Sequence, residues 1–152
     1  MARVAVLTGS KSDLPLLEPC LQTLTDLGID HELQVMSAHR SPAKVQQFAA
    51  SAADSGFEVV IAAAGMAAHL PGVVASMTTL PVIGIPLASG SHAASGLDAL
   101  LSIAQMPPGV PVACVAVNGA KNAALLAAAI LALKYPEVHD TLERFRQQQA
   151  TA

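Results

Sequence analysis

The fold is decided by VAVLTGSKSDLPLLEPCLQTLTDLG, residues 4–28. Val4 to Thr8 form an apolar run of strand-prone residues, the pattern of a strand covered on both faces. Leu14, Leu17, Cys20, Leu21 and Leu24 then fall on one stripe at helical spacing. They predict a helix from about position 13 to 27, ended by Gly28. Between strand and helix lies a short polar cluster, Gly9-Ser10-Lys11-Ser12-Asp13. Strand, polar turn and amphipathic helix make one βα unit.

The unit repeats along the chain. A second strand is expected at 31–36, followed by a helix over 42–55 with Ser41 as its cap, Pro42 at its first position and Gly56 as its stop. A third strand reads at 58–63, with a short helix at 71–77. The fourth strand, 81–85, is bounded by prolines, and a helix over 97–105 follows a Ser-, Gly- and Ala-rich loop. A fifth strand at 111–117 leads into a long helix over 121–133. The last helix, 136–149, carries Val138, Leu142 and Phe145 on one side.

Strands joined by helices imply parallel βαβ units with right-handed crossovers. Nearly uniform apolarity fits strands with both faces covered. The expected architecture is a single α/β domain, residues 1–152, folded as a three-layer αβα sandwich. Its five-stranded parallel sheet would be flavodoxin-like or Rossmann-like, with the C-terminal helix free for oligomer contacts. The many alanines allow close helix packing, in the core and between subunits.

Composition narrows the function. The 152 residues are 53% hydrophobic and 12% charged, about half the charged fraction of a usual soluble protein, which points to surface hidden in an oligomer. A net charge of −3, three Phe, one Tyr and no Trp leave neither a basic patch nor a stacking ladder. Nucleic acid is therefore not the expected partner. Residues 59–97 lack Lys, Arg, Asp and Glu, but Pro71, Pro81 and Pro86 break the stretch. The apolar run at 123–133 is shorter than the roughly 20 residues that a membrane span needs. Met1-Ala2-Arg3-Val4 enters a strand directly, without a signal-peptide layout. A soluble cytoplasmic protein with no membrane partner is expected. Cys20 and Cys114 read as buried structural thiols, in no spacing typical of a metal site.

Three polar clusters follow the first three strands: Gly9 to Asp13, Ser37-Ala38-His39-Arg40-Ser41-Pro42, and Gly65-Met66-Ala67-Ala68-His69-Leu70-Pro71-Gly72. In a parallel sheet all three emerge at the carboxyl edge, where such sheets bind ligands. In the first cluster, Gly9 allows a tight turn and the helix start offers amides to an anion. Ser10 and Ser12 add hydroxyls, and Asp13 accepts from sugar hydroxyls. Its plain alternative is a helix cap at Ser12. Histidine is the side chain suited to moving a proton at neutral pH, which singles out His39, and Arg40 presents a planar fork to phosphate; a solvated surface pair is the alternative. His69 is either a hydrogen-bonded core histidine or a site residue beside Gly65. His92 follows the fourth strand on the same edge without further support, and His31 and His139 read as surface residues without partners.

Taken together, these clusters resemble the N5-carboxyaminoimidazole ribonucleotide mutase family of purine biosynthesis. The matching text is GSKSD at 9–13, SAHRSP at 37–42, AAHLPG at 67–72, SIAQMPPGVPV at 102–112 and KNAALLAA at 121–128. SAHR with AAHLPG is similar to the bacterial mutase class. The resemblance implies a cofactor-free, metal-free shift of a carboxylate within one nucleotide, with transient carbon dioxide and His39 as the proton shuttle. It places Ser10, Ser12 and Arg40 on phosphate and Asp13 on ribose. Gly9, Ser37, Ala38, Gly65, His69 and Leu70 complete the substrate pocket. It also implies a homo-octamer with sites at subunit junctions, residues 102–111 coming from a neighbour. The chain departs from the family pattern in three places: Met66 replaces a common glycine, the loop 88–96 is longer, and the segment 117–121 is shorter.

Two further readings stay open at this level. One is direct carboxylation of aminoimidazole ribonucleotide by carbon dioxide. The other is a nucleotide-binding module on the same fold, without catalysis. Flavin binding lacks stacking aromatics, and a phosphoacceptor pocket lacks its paired acidic residues after the first strand.

Overall fold

The computed structural model describes residues 1–89 and 93–152. Five strands form one parallel sheet: β1 (Arg3–Thr8), β2 (Asp30–Val35), β3 (Val59–Gly65), β4 (Val82–Leu87) and β5 (Ala113–Cys114). The helices are α1 (Leu14–Asp26), α2 (Pro42–Ser51), α3 (Leu70–Ala75), α4 (Leu97–Ala104), α5 (Ala120–Ala132) and α6 (Pro136–Ala150). A 3-10 turn, Lys11–Asp13, precedes α1. The strand order β2-β1-β3-β4-β5 is the flavodoxin-like one, and it reverses between β1 and β3.

Alternation along the strands divides the side chains between two cores. Val4, Val6, Val59, Ile61, Ala63, Ile83, Ile85 and Leu87 meet α1, α5 and Val138 of α6 on one face. Ala5, Leu7, Val60, Ala62 and Val82 meet Val45, Phe48, Leu70 and Val74 of α2 and α3 on the other. Ile103 of α4 packs beside Ala64, Val112 and Cys114 on that second face. Three layers result, as the sequence implies. Ala120, Ala123, Ala124, Ala127 and Ala128 lie in the first core, so this alanine stripe serves the interior rather than a subunit contact. Lys134 Nζ and Tyr135 Oη, beyond the end of α5, donate to the two carboxylate oxygens of Glu58 at 2.5 and 2.7 Å. They fasten the helical layer to the start of β3, away from the carboxyl edge.

Some expectations need correction. Strand β4 does not stop at Pro86 but runs to Leu87. The carbonyls of Gly84 and Pro86 accept from the amides of Val115 and Asn118, at 3.1 and 2.8 Å. Their side of the strand faces β5, so the donor that Pro86 lacks also faces β5 and costs no bond with β3. Strand β5 itself is only two residues long. Beyond it the Asn118 side chain replaces the ladder, donating to the Ala88 carbonyl at 2.8 Å and accepting from the Ala88 amide at 2.9 Å. Strand β2 is not apolar, and none of its residues is fully buried. It is an edge strand, and Arg3 bridges its Asp30 and Glu32 at 3.2 and 2.8 Å.

The cysteines differ from each other. Cys20 is buried, and burial pushes its thiol up to about 12. Cys114 is only partly buried, with its thiol also raised by burial. His31 and His139 both have partners, contrary to expectation: the Ile29 carbonyl at 3.0 Å for the first, and Asp140 and Glu143 at 3.5 and 3.8 Å for the second.

Gly84 sets how close α4 comes to the sheet. A Cβ there would lie 2.3 Å from Ile103 Cγ2 and 3.2 Å from Val112 Cγ1. Because Cγ2 is attached next to the backbone, Ile103 cannot swing clear. Gly84→Ala is expected to lower the unfolding free energy by about 1–3 kcal/mol through overpacking. Chemical denaturation checks this, and an unchanged midpoint would contradict the packing.

Candidate active site

Parallel pairing carries the chain ends of β1, β2 and β3 to one edge, and the ladder extends slightly past its strands. The Met36 amide donates to the Thr8 carbonyl at 2.8 Å, drawing Ser37 alongside Gly9. Arg40 then donates from a terminal guanidinium nitrogen to the Gly9 carbonyl at 2.7 Å. The first two loops are thereby tied together across the sheet edge.

A half-open cavity of about 490 Å3 lies among the three loops. The β1 loop gives it Gly9, Ser10, Ser12 and Asp13; the β2 loop gives Ser37, Ala38, His39 and Arg40; the β3 loop gives Gly65, His69 and Leu70. Ala64, Met66 and Ala67 complete the lining. The residues named from the sequence for proton transfer and for binding the substrate therefore line one cavity, and residues 102–111, expected from a neighbouring subunit, are not part of its lining. His92 lies outside the described residues. A smaller hollow of about 320 Å3 adjoins it behind Ser10, Ser37 and Arg40, and there Lys11 and Ser41 join the lining.

Local chemistry shapes each loop. Ser10 caps the 3-10 turn, accepting from the Ser12 amide at 3.3 Å, and its hydroxyl shares a 2.8 Å hydrogen bond with that of Ser12. Ser10, rather than Ser12, is therefore the cap. Asp13 caps nothing with its side chain; its carboxylate accepts from the hydroxyl of buried Thr8 at 3.4 Å. Gly9 is not needed for a left-handed turn, because the positive-φ positions lie elsewhere. A Cβ at Gly9 would meet only the Met36 carbonyl oxygen, at 4.0 Å.

Ser41 also differs from expectation. It holds the cap position of α2, yet its hydroxyl bonds no helix amide. Instead it turns back onto Ser37, accepting from its amide at 2.9 Å and donating to its carbonyl at 3.1 Å. The Ser37 hydroxyl in turn accepts from the Arg40 amide at 3.1 Å. This chain of bonds fixes the loop that presents His39 and Arg40.

His39 Nε2 and His69 Nδ1 stand 2.8 Å apart, with ring centroids 4.9 Å apart and planes at 79°. His69 is exposed to the cavity, which removes the core-histidine alternative. One nitrogen must carry a proton and the other a lone pair. Two imidazolium rings cannot face each other at that distance, so the pair holds at most one positive charge. The arrangement can pass a single proton while Arg40 and the serine hydroxyls bind an anion. Among the described residues, no three His, Cys, Asp or Glu side chains gather as metal ligands.

A family model described as AIR carboxylase covers residues 3–152. The chain belongs to this family. An N5-carboxyaminoimidazole ribonucleotide mutase of Pyrococcus abyssi is 52% identical over 97% of this chain and 83% of that protein. A mutase of the same name from Escherichia coli (strain K12) is 48% identical over 97% of this chain and 88% of its own length. Among solved structures, Treponema denticola PurE superposes with a TM-score of 0.86 at 28% identity, covering 99% of this chain and 93% of that one.

Within this AIR carboxylase fold, two positioning residues escape a sequence reading. Thr8 ends an apolar strand with a hydroxyl, the one visible sign that it steers Asp13. Ser41 looks like an ordinary helix cap, and nothing in the sequence shows that it faces Ser37 instead.

The histidine contact is testable. Nitrogen-15 NMR of His39 should show a fixed tautomer in the native protein. In His69→Ala the ring should revert to the tautomer mixture of a free imidazole. Identical spectra in the two proteins would contradict the contact.

Proposed function

We propose that this chain converts N5-carboxyaminoimidazole ribonucleotide into 4-carboxyaminoimidazole ribonucleotide, an isomerase step of purine biosynthesis, without a cofactor. The observation that carries this reading is the His39–His69 pair, set in a cavity with anion-binding groups along one side. Family membership and mutase relatives that align along nearly the whole chain support it.

The rearrangement moves one proton as well as one carboxylate. When the C–N bond of the carbamate breaks, N5 needs a proton and carbon dioxide departs. When carbon dioxide joins the ring carbon, that carbon must release its proton. One group able to give and then take serves both steps, which suits an imidazole. With the shared proton on Nε2 of His39, its Nδ1 lone pair is free to accept from the ring carbon. His69 Nδ1 then faces the imidazolium as an acceptor and stabilises its charge. Ser10, Ser12 and Arg40 bind the phosphate, and Asp13 accepts from the ribose hydroxyls. Gly9, Ser37, Ala38, Gly65, His69 and Leu70 surround the base.

The second reading, direct carboxylation of aminoimidazole ribonucleotide, draws on the family's own description. Each nucleotide supplied separately decides between them. The carbamate nucleotide is expected to give ring-carboxylated product without added bicarbonate, and aminoimidazole ribonucleotide to give little even with it. His39→Asn should cut turnover roughly 10²–10⁴-fold. An inert carbamate nucleotide, or full activity in His39→Asn, would sink the proposal. Tight nucleotide binding without turnover would leave a binding module.

The chain works in the cytoplasm as a homo-oligomer, octameric by family resemblance. Leu97 and Leu101 support self-association: they lie one turn apart on α4 and remain 57% and 48% exposed. A pair of leucines this open on one helix face suits a subunit contact. Light scattering should return a mass several times 15.5 kDa, and a monomer would refute it.

A further inference from the structure

The backbone and side chain of Met66 make opposite demands. Its φ is 52°, in the left-handed region where a Cβ crowds the following carbonyl. Glycine meets that demand without strain, and a short polar side chain meets it with little. This chain instead places a long apolar side chain there. Met66 lines the cavity and is also 58% exposed, so it stands on the rim. Strain of this kind persists only where surrounding structure holds it, and it gathers at sites that use the residue.

The rim position divides the cavity. Ala64, Ala67 and Leu70 line the wall that Met66 continues, and His69 is part of the same loop. Ser10, Ser12 and Arg40 come from the other two loops and form the polar side. Met66 therefore puts apolar surface at the mouth of the half of the cavity that holds the histidines.

We infer that Met66 is the closing wall that retains free carbon dioxide between the two bond changes. This role rests on the mutase reading. Once the C–N bond has broken and N5 has taken its proton, carbon dioxide is bound to nothing. It stays until its carbon bonds to the ring carbon, whose proton then leaves to His39. Only shape and the absence of water hold it meanwhile. A flexible thioether chain adapts to such a gap, and it offers water no strong hydrogen bond.

The test follows the fate of the carboxylate. Carbamate nucleotide labelled with carbon-13 in its carboxylate is given to the protein in unlabelled bicarbonate, and label in the ring-carboxylated product is compared with label lost as aminoimidazole ribonucleotide and carbon dioxide. A blank without protein corrects for spontaneous loss. The native protein should retain the label. Met66→Gly should lose it several-fold more often, while melting no lower than the native protein because the strain is gone. Met66→Leu should restore retention. Met66→Gln keeps the length but admits water, and should leak as well, so the test survives a poorly folded glycine variant. Native-like retention in both the glycine and the glutamine variants would overturn the role of Met66 and leave the mutase reading standing. No ring-carboxylated product from the native protein would overturn the reading and this role together.

Discussion

Parallel pairing of β1 with both β2 and β3 is the constraint on which the site depends. It sends three consecutive strand ends toward the same edge, and the strand order reverses there. At such a reversal, successive crossovers leave in opposite directions and a crevice opens between them. The Met36–Thr8 rung and the Arg40–Gly9 bond hold the first two loops at a fixed distance. The third loop is held by β3, whose Val59, Val60, Ile61, Ala62 and Ala63 are fully buried. A shift of one residue in either register would turn the inward side chains outward and separate His39 from His69.

On that frame the loops are fastened mostly by backbone groups. Ser41 grips both polar groups of Ser37, and Ser37 grips Arg40. Of the side chains facing the cavity, the Ser10 and Ser12 hydroxyls bond each other within their own loop. Among the described residues of the three loops, only the two histidines bond side chain to side chain from one loop to another. That bond joins an element behind β2 to one behind β3, so the proton-handling unit exists only in the folded sheet. A site built this way loses little entropy when substrate arrives, because its loops are already ordered.

Much of this was legible in the sequence, for a simple reason. Strand and helix periods differ, and apolar residues follow them strictly in β1, β3, α1 and α5. Polar clusters interrupt the pattern only where strands end, which is why the three loops could be read as one site. The illegible parts concern direction rather than identity. A serine before Pro42 announces a helix start, but not that its hydroxyl points backward. Pro86 looks like a terminator because the sequence does not say which neighbour its missing donor would face. The strand at β2 can be read, but not that Asp30 and Glu32 mark it as an edge strand, which follows different rules from a central one. In β5 the strand shrinks to two residues and Asn118 takes over its pairing, a substitution of side chain for backbone that has no periodic signature.

The same distinction explains why the left-handed turn falls where it does. Gly65 ends β3 in regular pairing with Leu87, so that glycine spends no conformational freedom. The chain must then leave the sheet, and it does so one residue later, at Met66. A reversal placed there aims Ala67 and His69 into the cavity and returns Leu70, the first residue of α3, to the core. Alternation alone would have directed Met66 and Ala68 to one side. Ala68 is indeed fully buried against Ala99 and Ile103, whereas Met66 is lifted to the rim. The strained residue is therefore the pivot between sheet geometry and site geometry, three residues before the histidine that meets His39.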